Sequence, residues 1–245
     1  MILAAAQTKP KRGDIESNLS DHYELIKLAA QEGADLIVFP ELSITGYERE
    51  NAAELAFAKD DSRIEHLKEL AVEHNIIIVA GAPVQTASEL FIGEFIIFPD
   101  NSVSIYTKQF LHEGEDEFFQ SSFDYNPVIT IENQKISFAI CADIDNPLHP
   151  KNASEKETSI YIASIFFSPN GIPNAYRDLQ SYAEKHKMNV LMSNFSGESW
   201  GYPSGGKSAF WNNKGELVAQ MNDSDSGLLL AESQNDNWTS KIINL

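Results

Sequence analysis

Residues 18–42, NLSDHYELIKLAAQEGADLIVFPEL, carry two kinds of apolar spacing in one stretch. Leu19, Tyr23, Ile26 and Leu28-Ala29-Ala30 recur at the interval of a helix with one apolar face, which predicts a helix over Asn18–Gln31. Gly33 follows as its stop. Leu36-Ile37-Val38-Phe39 is then apolar without alternation, as in a short strand buried on both faces, and Pro40 closes it. Helix followed by buried strand is the repeating unit of a layered α/β fold.

The same rhythm extends in both directions. Ile2 to Gln7 reads as a first strand. Ser62 to His74 repeats the helical pattern with Ile64, Leu67, Leu70 and Ala71 on one face, and Ile76 to Gly81 is the next buried strand. Strands then crowd together at Glu89–Pro99, Ser102–Lys108, Val128–Ile131 and Ile136–Ile140, with polar turns at Pro99-Asp100-Asn101 and Glu132-Asn133-Gln134. Helical spacing returns over Pro173–Lys187. Val190–Asn194, Ser208–Trp211 and Leu217–Gln220 are strand-like, and Leu228–Leu230 is expected to be the last core strand. No repeat, linker or composition break divides the chain, so residues 1–245 are expected to form a single domain. The pattern does not set strand directions.

Composition narrows the function classes. The 245 residues carry 36 acidic against 18 basic side chains, a net charge of −18, which disfavours binding to nucleic-acid backbone or anionic membrane. No apolar run reaches the length of a membrane span, and the apolar start lacks a basic leader, so a cytoplasmic protein is expected. One cysteine excludes an internal disulfide and a multi-cysteine zinc site. The six histidines, at 22, 66, 74, 112, 149 and 186, show no metal-binding spacing and read as ordinary solvated or core-edge groups, with His112 and His149 near enough to the segments of Lys108 and Cys141 to be candidates for touching a pocket; no local signature supports a Cys–His pair. Gly201-Tyr202-Pro203-Ser204-Gly205-Gly206-Lys207-Ser208 meets the letters of a phosphate loop. A strand-like segment follows it where a helix is required, so no nucleotide site is expected.

Chemistry concentrates at strand exits. Glu41 lies just past the carboxyl end of an apolar strand, where partial desolvation raises a carboxyl pKa and suits it to act as a base. Lys108 ends another strand among apolar neighbours, and the acidic run Glu113, Glu115, Asp116, Glu117 offers it a partner. Cys141 ends Ile136–Ile140 at a sharp exit of the kind that presents a nucleophile. Taken singly, each also reads as an ordinary loop or core residue.

Together they resemble the nitrilase (carbon–nitrogen hydrolase) superfamily. The matching motifs are Phe39-Pro40-Glu41-Leu42 with Thr45-Gly46-Tyr47, Tyr106-Thr107-Lys108 with Leu111, Gly114-Glu115, Ile140-Cys141-Ala142-Asp143, Asn194, and Gly206-x-Ser208. The resemblance implies a four-layer αββα sandwich, pairing into a homodimer or larger assembly, and hydrolysis of a non-peptide C–N bond in a small amide without metal or organic cofactor. It assigns Cys141 as nucleophile, Glu41 as general base, Lys108 to the oxyanion and Glu115 to orienting the others. Tyr47, Ala142, Phe166, Phe167, Asn170 and Trp200 are the expected pocket walls. Nitrile hydrolysis, acyl transfer on the same residues, or a ligand-binding module without turnover remain alternatives. Ala142, where many relatives carry a bulkier residue, bears on specificity rather than on reaction type.

Overall fold

The computed structural model describes residues 1–86, 88–234 and 237–245. Strands β1 (Ile2–Gln7), β2 (Leu36–Val38), β3 (Ile77–Gln85), β4 (Leu90–Ile97) and β5 (Val103–Thr107) come from the first half of the chain. Between them lie helices α1 (Ile15–Gln31), α2 (Ala52–Leu55) and α3 (Glu65–His74), the last entered through a 3-10 turn at Ser62–Ile64. The second half supplies β6 (Ile129–Ile131), β7 (Gln134–Ile140), α4 (Leu148–Glu155), β8 (Ile160–Ile165), α5 (Ile172–His186) and β9 (Asn189–Asn194). It continues with β10 (Glu198–Ser199), β11 (Tyr202–Pro203), β12 (Ala209–Trp211), β13 (Leu217–Gln220), β14 (Gly227–Gln234) and β15 (Asn237–Asn244).

Among the described residues two large sheets form, ordered β15-β14-β1-β2-β3-β4-β5 and β13-β12-β9-β8-β7-β6, and β10-β11 is a separate two-stranded hairpin. Each large sheet centres on three parallel strands, β1-β2-β3 and β7-β8-β9, joined through helices and flanked by antiparallel neighbours. Residue parity shows how they layer. Leu3, Ala5, Leu36 and Val38 face the core shared with the second sheet, whereas Ala4, Ala6, Ile37 and Phe39 pack against Leu19, Ile26, Ala29, Leu67 and Leu70 of α1 and α3. On the far side α5 brings Leu179, Tyr182 and Ala183 onto the second sheet. Helix, sheet, sheet, helix is the expected αββα order. Strands that are apolar on both faces are required when both faces are covered.

The short α2, β10 and β11 were not anticipated, nor were three longer elements. β8 and α4 fill the stretch after Asn146, and β15 adds an edge strand beyond β14, so Leu228–Leu230 is not the end of the sheet. β15 alternates no apolar face toward the core; most of its residues are exposed. Among the described residues no helix is long and apolar enough to cross a membrane.

Candidate active site

Glu41, Lys108 and Cys141 follow the carboxyl ends of β2, β5 and β7, and the fold brings those ends together. The turn carrying Glu41 lies directly on β3: Ile44 N–H donates to the Gly81 carbonyl at 2.9 Å. A Cβ at Gly81 would sit 2.5 Å from the Leu42 nitrogen, so only glycine allows this approach. Leu42 (φ 51°) and Cys141 (φ 45°) both hold left-handed backbone, a conformation that persists where surrounding structure enforces it. Cys141 opens a 3-10 turn, Cys141–Asp145, that bends the chain sharply off β7.

The Lys108 ammonium donates to Glu41 Oε1 at 2.7 Å and to Glu115 Oε1 at 2.8 Å, with all three side chains fully buried. The two carboxylates are not equivalent. Glu115 also receives the Tyr47 hydroxyl at 2.6 Å and the His112 backbone N–H at 2.7 Å, whereas Glu41 Oε2 has no hydrogen-bond partner. Burial alone would raise the Glu115 carboxyl, but Lys108 and these donors hold it below the ordinary range. Burial wins at Glu41 and lifts it to about 7, with the Lys108 charge opposing. Burial would lower Lys108, yet the charge of Glu41 and then of Cys141 and Glu115 keeps it raised. Burial, and then the charge of Glu41, push the Cys141 thiol well above its usual value. The resting pair is therefore a protonated thiol beside a carboxyl whose proton affinity burial has raised.

A cavity of about 310 Å3 opens onto this cluster, lined by Glu41, Tyr47, Arg49, His112, Glu113, Cys141, Phe166, Phe167, Ser168, Trp200 and Tyr202. Four of the expected walls, Tyr47, Phe166, Phe167 and Trp200, are in place. Asn170 is not; it is exposed on the turn before α5. Ala142 instead lines an adjoining hollow with Leu111, His112, Asp145 and Asn146. Asn194 joins two walls, accepting the Phe167 N–H at 3.1 Å and donating to the Gly206 carbonyl at 2.8 Å. The Gly201–Ser208 segment runs into β12, where a phosphate loop would open a helix.

Two contacts at the site go beyond the residues assigned from the sequence. His112 places Nε2 3.2 Å from Cys141 Sγ, so it is not the ordinary edge histidine expected; burial and the Lys108 charge hold its imidazole down at about 4. It lies 29 positions from Cys141 along the chain, so no local period foretells the contact. Asp143, legible only as part of the cysteine motif, accepts backbone N–H groups from Gln109 and Phe110, each at 2.9 Å, and from Ile140 at 2.9 Å. It thereby ties the Lys108 strand to the Cys141 turn. Among the described residues no cluster of three or more His, Cys, Asp and Glu side chains could hold a metal ion.

The carbon–nitrogen hydrolase family profile matches residues 2–242. A nitrilase of Pyrococcus abyssi is 26% identical over 236 residues, spanning 94% of this chain and 88% of that protein. A 2-oxoglutaramate amidase of Bacillus subtilis is 30% identical over 134 residues, which cover 54% of this chain and 52% of the amidase. The amidase of Nesterenkonia sp. AN1, solved in a mutant form after Michael addition of acrylamide at its active site cysteine, shares the fold with a TM-score of 0.85 at 20% identity, covering 96% and 93% of the two chains. The chain belongs to the carbon–nitrogen hydrolase family, the nitrilase superfamily, and is a hydrolase.

Proposed function

We propose that the chain hydrolyses the C–N bond of a small linear amide or N-carbamoyl compound through a thioester on Cys141. The observation that carries this reading is the Lys108 ammonium bridging Glu41 and Glu115 beneath the only cysteine, with Glu41 poised near 7. Glu41 takes the thiol proton as sulfur attacks the carbonyl carbon, since a carboxyl tuned near neutral pH accepts a proton and returns it. Negative charge on the carbonyl oxygen is stabilised by Lys108 and by the backbone N–H of Ala142. Protonated Glu41 gives its proton to the leaving nitrogen, the C–N bond breaks and the amine departs. Glu41 then removes a proton from water, which attacks the thioester and releases the acid and the thiol. Glu115 carries no proton in the cycle; its tight bonds to Lys108, Tyr47 and the His112 backbone fix where the ammonium points. The covalent adduct at the cysteine of the Nesterenkonia amidase supports the same role for Cys141.

Ammonia release from a panel of aliphatic amides, ω-amides, N-carbamoyl amino acids and nitriles tests the reading, with Cys141→Ala alongside. Release from an amide or carbamoyl arm that vanishes in the variant is expected. Release that survives in Cys141→Ala, or release from nitriles alone, would contradict it.

A further inference from the structure

Arg49 stands in the cavity onto which Cys141 opens, and its buried Nε has no hydrogen-bond partner. Its acidic neighbours are engaged elsewhere. Glu48 is held by Arg12 and accepts the Asn51 N–H at 3.3 Å. Glu50 accepts the Trp200 indole N–H at 3.1 Å and pairs with Arg12 at 3.3 Å. The hairpin β10–β11 presents Trp200 at its turn, and the Arg49 guanidinium carbon lies 3.8 Å from the centre of that ring. Such stacking fixes the plane of the fork without using its N–H donors. A Cβ at Gly114 would fall 3.3 Å from Arg49 Nη1, so the absence of a side chain there leaves the fork room.

In a chain with twice as many acidic as basic residues, a buried guanidinium nitrogen left without an acceptor is a loss that a ligand anion would recover. Lys108 does not serve that anion: two of its three N–H donors are held by Glu41 and Glu115, and the third is left for the reacting carbonyl oxygen. His112 does not compete, since its imidazole is neutral at pH 7. Glu113, also at the cavity, is exposed, and solvent screens its charge.

We propose that Arg49 is a specificity-determining residue that binds a carboxylate of the substrate, so that the amide or carbamoyl compound attacked by Cys141 carries a carboxylate at its other end. This rests on the hydrolase reading above and narrows its substrate class. The cavity, at the small end of ligand pockets, suits a short linear compound whose two ends are read by Cys141 and by the Arg49 fork.

The test compares glutaramate and N-carbamoyl-β-alanine with their neutral isosteres, in which an isopropyl group replaces the carboxylate. Wild-type kcat/KM is expected to favour at least one carboxylated compound by about 10- to 100-fold, the range of a charge-assisted contact. In Arg49→Met that ratio falls close to one, with the loss carried by KM, and Arg49→Lys restores part of it. The two carboxylated arms separate a dicarboxylic monoamide from an N-carbamoyl amino acid. A readout independent of turnover accompanies them: glutarate slows alkylation of Cys141 by iodoacetamide in the wild type and not in Arg49→Met. Hydrolysis of carboxylated and neutral amides alike, without protection by glutarate, overturns the anion site and leaves the hydrolase reading standing. Protection by glutarate without turnover of any arm supports the anion site and contradicts the hydrolase reading.

Discussion

Asp143 accepts the backbone N–H of Gln109 at 2.9 Å, and through this bond the residue following Lys108 is fastened to the turn that carries Cys141. The same carboxylate takes the N–H groups of Phe110 and Ile140 and the Tyr106 hydroxyl, so the sheet carrying Lys108 and the sheet carrying Cys141 share one anchor. His149 extends it, with Nε2 2.9 Å from the Tyr106 oxygen and Nδ1 2.7 Å from that of Tyr161. Asp143→Ala would leave three buried N–H groups without acceptors. A loss of about 3 kcal/mol or more is expected in chemical denaturation. Activity at a temperature where the variant is folded should fall further than that loss explains, because Lys108 and Cys141 lose their register.

The pH dependence of kcat/KM should follow Glu41. Its folded-state carboxyl titrates at about 7, and only the ionised form accepts the thiol proton, so the rate rises as pH increases through about 7 and levels above it. His112 titrates near 4 and contributes no limb in this range. Glu41→Gln should remove the limb and lower kcat about 100-fold or more. A limb that persists near 7 in this variant would assign the titration to another group.

Tyr47→Phe removes the hydroxyl donated to Glu115 at 2.6 Å. Glu115 then rises toward its ordinary range and holds Lys108 less firmly. A fall in kcat of about tenfold is expected, with the melting temperature changed by a few degrees at most. An unchanged kcat would show that Glu115 is fixed by Lys108 and the His112 N–H alone.

Glu94, on β4, is buried, and burial with the charges of Asp143 and Glu41 raises its carboxyl to about 8 against the opposing effect of the nearby Ser164 hydroxyl. The unfolded carboxyl titrates near 4.5. Below 4.5 both states hold the proton. Between 4.5 and 8 the folded state keeps it while the unfolded state releases it, so folding stability falls with rising pH across that window. Glu94→Gln should remove the Glu94 share of this decline and leave that of Glu41, and its stability relative to wild type should grow by roughly 3–5 kcal/mol from pH 4.5 to pH 8. Denaturation curves at several pH values measure the difference; parallel dependences in the two proteins would contradict it.

Much of this was legible in residues 18–42, where one helical and one strand period sit side by side, and in the three strand exits that end at Glu41, Lys108 and Cys141. What was hidden has physical reasons. β15 is an edge strand whose side chains mostly meet solvent, so no apolar alternation marks it. α4 buries only His149, Pro150 and Ala153 and carries a proline in its first turn, which obscures its period. β8 is buried throughout and mostly apolar, but short apolar runs do not declare themselves strand or helix. The contacts of His112 with Cys141 and of Arg49 with Trp200 join residues 29 and 151 positions apart or lie across loops, and no local pattern encodes them. The asymmetry between Glu41 and Glu115 likewise depends on who donates to each, which only the fold decides.

The most direct measurement is intact mass of the protein during turnover of an amide that releases ammonia, in the wild type and in Glu41→Gln, Cys141→Ala and Lys108→Met. The predicted result is a species heavier by the acyl group on Cys141, slower to form but longer-lived in Glu41→Gln because neither the thiol nor the water is deprotonated, and absent from Cys141→Ala and Lys108→Met. Turnover with no acyl adduct in any form, or an adduct that remains in Cys141→Ala, would contradict the thioester and with it the assignment of Glu41, Lys108 and Cys141.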